Sequence, residues 1–253
     1  MAERDGESFS PKPCHSRRFS LFWGSGSVPC WRVMICLEEK GLREYESKQL
    51  SFLSNEHKSE QIVDINPRGQ LPAFKHDDTI LNESLGICHY LEDTFPNKGT
   101  KLLPDDQKEK ALALQRVYEA LTLQKRVQEV LYYLVHTPVE EINQDVMRSN
   151  KKELDKELQL WESYLQNHKN DFYLTSSKFT MADAVFFPQL ALVMRMRPTL
   201  GKIFPLMGDY YNRLSPRKSI QETWPPHWKE IDGQDIFDEK FDPQDFDVTR
   251  FFG

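Results

Sequence analysis

Long apolar runs are missing from this chain. The longest, around Ala184–Val193, is interrupted by Pro188 and stops well short of the ~20 residues of a membrane span. Cysteine is scarce, at four, and no two share a paired spacing, which excludes a disulfide scaffold. The seven histidines show no ligand spacing with one another or with cysteine, so no metal is expected. Positive charge is not in excess either. With 33 basic and 39 acidic residues the net charge is −6, the wrong sign for a nucleic-acid footprint. The first 17 residues carry Glu3, Asp5 and Glu7 without an apolar stretch, unlike a secretory signal or an acid-poor transit peptide. What remains, with 39% hydrophobic and 28% charged residues, is a globular chain with ample material for a core, expected in the reducing cytoplasm.

Several motifs also stop short. Gly24-Ser25-Gly26 begins like a phosphate loop, but Pro29 stands where a dinucleotide fingerprint needs glycine. A nucleophile elbow around Ser25 would need glycine at both flanks, and those positions hold Trp23 and Ser27. Asn82-Glu83-Ser84 matches a glycosylation sequon only by coincidence in a chain without a secretory signal.

The chain falls into five stretches of different texture. Residues 1–17, with Pro11 and Pro13, read as a disordered arm. From 18 to 96 the pattern is strand, helix, strand, helix, hairpin, helix. Phe19–Trp23 opens it, Pro29 suits the first turn of a helix ended by Gly41, and Tyr45–Leu50 follows. His57–Ile65 is a short helix, Leu71–Asn82 a hairpin around Asp77-Asp78, and Glu83–Phe95 a helix. A polar linker covers 97–107. Residues 108–228 are then all helical: apolar positions from Leu114 to Val135 recur in steps of three and four, and Leu154, Leu158, Trp161 and Leu165 repeat the pattern. Thr180-Met181-Ala182-Asp183 reads as a capping box with aspartate in the glutamate position. The fold class is therefore α/β plus all-α. Residues 229–253 form an acidic tail in which eight carboxylates face three cations. Self-repulsion favours a solvated, partly disordered extension over docking of its phenylalanines.

Three features carry chemistry. Ser27-Val28-Pro29-Cys30 joins the first strand to the first helix, where a thiol-redox unit would hold Cys-x-x-Cys. Serine at the first position cannot be a redox thiol, but at a helix N-terminus its hydroxyl can donate to a thiolate brought by a ligand. Helix capping is the competing role, and Cys30 is expected to pack inside. Leu71-Pro72 marks an edge strand or a cis bond; if cis, it turns the Leu71 backbone outward to pair with an extended peptide. Glu83-Ser84 opens the next helix, where amide N–H groups and a hydroxyl suit a carboxylate and Glu83 suits an ammonium. Thiolate site, strand edge and α-amino-acid clamp together describe a receptor for glutathione.

Asn66-Pro67-Arg68-Gly69-Gln70-Leu71-Pro72-Ala73-Phe74 and Leu81-Asn82-Glu83-Ser84 resemble the glutathione-binding half of the cytosolic glutathione S-transferases. Phe179–Ala184 is similar to their helical-domain capping box, a folding element in that family. Trp23–Val33 and Trp224-Pro225-Pro226 look nearest to the rho class, related to theta and zeta. The resemblance implies an N-terminal thioredoxin-like domain, a C-terminal helical bundle and a homodimer. It implies conjugation of glutathione, as co-substrate and with no other cofactor, to small electrophiles. Ser27 then matches the catalytic serine, His57 and Gln70 the glycine end of glutathione, Leu71 its cysteinyl backbone, Pro72 the cis-proline, and Glu83 and Ser84 the γ-glutamyl clamp. Ser25, a second hydroxyl two residues away, leaves the thiolate donor open between the two serines. With no tyrosine before Tyr45, a tyrosine-type mechanism is excluded. Trp23, Tyr118 and Leu121 are candidates for the electrophile pocket. A non-catalytic glutathione or apolar-ligand binder of the same fold, or a glutathione-dependent isomerase, stands as the alternative.

Overall fold

The structure is a computed structural model that describes residues 19–167 and 172–253. The expected arm, 1–17, lies outside the described residues.

Strand β1 (Phe19–Trp23) runs between β2 (Tyr45–Gln49), parallel to it, and β3 (Ala73–His76), antiparallel. Strand β4 (Thr79–Leu81) closes a hairpin with β3 through Asp77-Asp78, giving the order β2-β1-β3-β4. The parallel β1–β2 pair needs a crossover, and helix α1 (Val28–Glu39) supplies it. Ser27 caps α1, Pro29 sits in its first turn, and Gly41 at φ +67° ends it in a left-handed conformation. After the short α2 (Glu60–Ile65), α3 (Ser84–Thr94) packs beside α1 and buries Ile87, Cys88 and Leu91 against its apolar face. Of the two readings of Leu71-Pro72, the structure adopts the cis bond, and β3 is an internal strand.

The second half is helical. Helix α4 (Gln107–His136) buries Val117, Leu123, Val127, Leu131 and Leu134, and lies against α5 (Gln144–Asn167) and α6 (Met181–Met196). Apart from Met194 and Arg195, α6 is buried along its whole length, as expected of a helix apolar on all sides. Helices α7 (Leu200–Ile203), α8 (Pro205–Leu214) and α9 (Lys218–Glu222) complete this half. Helix α1 is shared between the halves. Its Trp31 lies edge-on to Phe187, Trp224 and Trp228, and donates its indole N–H to Thr223 Oγ1 at 2.9 Å.

Glu39, at the other end of α1, is the polar bolt between the halves. Its carboxylate accepts a two-pronged pair of bonds from Arg217 at 2.6 and 2.8 Å, and others from Ser219 and Thr100. Burial pushes this carboxyl up, but the bonds from Arg217, Ser219 and Thr100 win and hold it below its ordinary 4.5. A depressed carboxylate contributes stability that is present above 4.5 and lost as pH falls through the folded value. Denaturant midpoints should therefore fall on acidification below pH ~4.5, and Glu39→Gln should flatten that limb. An unchanged acid slope in the variant would remove Glu39 from this role.

The tail departs from expectation. Instead of a solvated extension, residues 229–253 pack on the body, with Ile236 and Phe251 fully buried. Phe237 lies beneath Arg197 and Lys151, and Lys151 also faces Phe241. Asp235, Asp238, Asp242 and Asp247 each accept a backbone N–H two residues on. The alternation thus gives aromatic rings cations from the helical half and spends acids on local turns, which offsets the repulsion. Among the described residues no helix is long and apolar enough to cross a membrane.

Candidate functional site

The strand register gathers the sequence candidates at one end of the sheet. Trp23 ends β1 beside Gln49, which ends β2, while Ala73 begins β3 opposite Phe22 and Leu81 ends β4 opposite Phe74. The segments leaving those points carry Ser27, His57, Leu71-Pro72 and Glu83-Ser84. The ring of Phe52 bridges two of them. It packs so closely on Gly24 that a Cβ there would lie 2.1 Å from its edge, and it stands 5.2 Å from the His57 imidazole.

The two serines differ sharply. Ser27, 8% exposed, accepts a bond from Cys30 N at 3.4 Å as the cap of α1, and its hydroxyl also interacts with the Cys30 thiol. Ser25 is almost wholly buried, and its hydroxyl is paired with His227 Nδ1 at 2.5 Å. Burial, reinforced by Arg195, pushes His227 down to about 4 against the opposing Phe251 carbonyl, so the imidazole is neutral at pH 7. Burial also pushes the Cys30 thiol up to about 11, against the Ser27 and Gly24 hydrogen bonds and Arg32. It is a packed residue, not a nucleophile.

His57 lies on a single 3₁₀ turn, held below its ordinary value by burial and then by neighbouring Lys58. Gln70 is exposed, its carbonyl accepting from Asn66 Nδ2 at 2.7 Å, and Leu71 is buried. Glu83 precedes α3, exposed and 3.9 Å from Arg68, whereas Ser84 is buried and accepts from Arg32 Nη1 at 3.5 Å. Glu83 lines a cleft of about 610 Å³ with Asn66, Arg68 and Asn82; Ser27, His57 and Ser84 do not.

For the electrophile side, Trp23 is buried in β1 with its indole N–H on Ser47 Oγ at 2.8 Å. Tyr118 and Leu121 are 55% and 41% exposed on α4. The rings that meet beside the serine loop are others: Phe252 approaches Phe52 at 6.1 Å and Tyr132 of α4 at 6.0 Å. The chain's last residues hold this position through several bonds. Gly253 N–H donates to Ser25 O, Phe52 N–H donates to Gly253 O, and Trp228 Nε1 donates to Phe251 O. Arg195 donates to the carbonyls of Arg250 and Ile231. No local pattern in the sequence signals Phe52, Tyr132, Arg32 or His227. Among the described residues no cluster of His, Cys, Asp or Glu is arranged to hold a metal.

Gly26 is where the loop and the tail meet. Its φ is +82°, and a Cβ would fall 1.9 Å from the Phe251 carbonyl oxygen. Gly26→Ala should cost about 1–2 kcal/mol for the left-handed backbone alone. It should also raise hydrogen exchange in residues 248–253; unaltered exchange there would contradict the packing.

These geometries can be set beside known proteins. Residues 21–99 match the family profile "Glutathione S-transferase, N-terminal domain", and residues 102–218 match "Glutathione S-transferase, C-terminal domain". The chain is 46% identical to Glutathione S-transferase A of Pleuronectes platessa, over 87% of this chain and 98% of that one. It is similar to the crystal structure of a glutathione S-transferase from the Antarctic clam Laternula elliptica. There the TM-score is 0.76 and identity 38%, over 85% of this chain and 96% of the other. A glutathione transferase of Phanerochaete chrysosporium, solved in complex with oxidized glutathione, superposes with TM-score 0.73 at 27% identity, over 85% and 98% of the two chains. A sheet half and a helical half matched in tandem, and a relative aligned over nearly its full length, agree with the site's layout: the chain belongs to the glutathione S-transferase family.

Proposed function

We propose that the chain conjugates glutathione to small electrophiles by a serine-type mechanism, and that its class is rho-like, related to theta and zeta. The observation that carries this reading is Ser27: a buried hydroxyl capping the N-terminus of α1, on the sheet end shared with Leu71-Pro72 and the start of α3. Glutathione would lie extended along that end. Its glycine end would meet His57 and Gln70, its cysteinyl backbone would pair with Leu71 beside Pro72, and its γ-glutamyl group would meet Glu83 and Ser84.

A free thiol with pKa near 8.5 is only a few per cent ionised at neutral pH. Making most of it thiolate means a shift of about two units, or ~2.7 kcal/mol of differential stabilisation. A charge-assisted bond from Ser27 supplies roughly 1.5–3 kcal/mol, and the field at the α1 N-terminus adds about 0.3–1. The thiol proton leaves to water. The sulfur lone pair then forms the C–S bond while a halide departs with its electron pair, or, on an α,β-unsaturated acceptor, the α-carbon takes up a proton. Phe52, Tyr132 and Phe252 would form the apolar wall for that electrophile, beside the earlier candidates Trp23, Tyr118 and Leu121.

Steady-state conjugation of an aryl halide and an enone by wild type, Ser27→Ala and Ser25→Ala tests the reading. Retention on immobilised glutathione without turnover of either electrophile would favour a binding protein instead. The active form is proposed to be a homodimer, checked by sedimentation at micromolar concentration.

A further inference from the structure

Arg32 is a fully buried cation with no carboxylate partner among the described residues. It lies on α1, 1% exposed, and its hydrogen bonds go to neutral groups: Nη2 donates to Gln124 Oε1 at 2.7 Å and Nη1 to Ser84 Oγ at 3.5 Å. Its Nε is buried without an acceptor. The ionisable side chains that face it are the thiols of Cys30, Cys36 and Cys88. Burial pushes the guanidinium down to about 10, a sign of how poorly its charge is compensated. A buried charge of this kind costs stability, and an apolar side chain of similar length would cost less. The other buried cation on the same helix's end, Lys40, shows the usual solution: its Nζ rests on Glu92 at 2.7 Å.

We infer that Arg32 is a positioning residue whose missing counter-ion arrives with the substrate, as the α-carboxylate of the γ-glutamyl group. The inference rests on the reading of Ser84 given above and extends it one hydrogen bond deeper. Because Ser84 Oγ accepts from Arg32, its own proton is directed elsewhere, and the carboxylate at the α3 N-terminus is the group that can accept it. Arg32 thus polarises the serine that touches the ligand and leaves an uncompensated positive charge behind it. The cost of burying that charge falls on the empty protein and is relieved on binding.

The experiment compares wild type, Arg32→Met, Arg32→Lys and Ser84→Ala in the full chain. Each is titrated calorimetrically with glutathione and with the analogue that lacks the γ-glutamyl α-carboxylate, and each is melted without ligand. Arg32→Met should melt at or above the wild-type temperature, bind glutathione about tenfold or more weakly, and lose most of the preference for glutathione over the analogue. Arg32→Lys, which keeps the charge without the fork, should show an intermediate preference. An unchanged preference in Arg32→Lys and Arg32→Met, or equal weakening of both ligands, overturns the inference. If Arg32→Met does not accumulate, the charge serves the fold and the inference fails in that form; Arg32→Lys then decides whether it also serves the ligand. Loss of preference in Ser84→Ala alone would sink only the role of Arg32. Full preference in Ser84→Ala would instead remove the clamp itself.

Discussion

Ser27→Ala should bind glutathione nearly as well as wild type and yet lose roughly 10- to 100-fold in conjugation rate near pH 6.5. In the proposed binding mode the removed group would contact the ligand only through the sulfur, so the loss would fall on the ionised form. At about 1.5–3 kcal/mol for a bond to a charged acceptor, the bound thiol's apparent pKa should rise by one to two units. Rates should converge toward wild type at high pH, where the thiol ionises unaided. Ser25→Ala supplies the contrast. Its hydroxyl is already paired with His227, so its removal should leave the pH–rate profile in place and loosen the tail. A profile that moves with Ser25 and not with Ser27 would exchange the roles of the two serines.

Asp183→Ala should have the largest effect on stability. The carboxylate is fully buried and accepts four bonds: Leu174 N–H and Tyr210 O–H at 2.8 Å on one oxygen, Thr180 N–H at 2.8 Å and Thr180 O–H at 3.1 Å on the other. It joins the start of α6, the segment ahead of it and α8. Alanine would strand donors worth about 1–3 kcal/mol each, for a total loss of at least ~3 kcal/mol. Against a net stability of about 5–15 kcal/mol, that is a large fraction. At about 2–4 °C per kcal/mol, the melting temperature should drop by roughly 6 °C or more. Asp183→Asn, which keeps one accepting oxygen, should recover part of it. A loss under about 1 kcal/mol in urea titration would show that the network is dispensable.

Most of the fold was legible because its signals are local. Pro29 after Ser27 marks a helix start, Asp77-Asp78 a hairpin, and Thr180 with Asp183 a helix entry, each within four residues. The periodicity of α4 is equally self-contained. The candidate site was legible for the same reason up to its own segments, since Ser27, Leu71-Pro72 and Glu83-Ser84 each sit where a strand meets a helix or turn. The tail was not. Its acids look solvated until their partners are known, and Lys151, Arg195 and Arg197 lie dozens of residues away. Nor does any window of sequence show that Ser25 meets His227, or that Arg32 meets Gln124 and Ser84.

The bond from Gly253 N–H to Ser25 O and the seat of Phe251 against Gly26 set an order of events during synthesis. The four strands can pair while the rest is still being made, since all of them lie before residue 96. The turn bearing Ser27 cannot settle then, because the atoms that brace it are more than two hundred positions downstream. A nascent chain stalled before residue 248 would carry paired strands and an unbraced Ser27 turn.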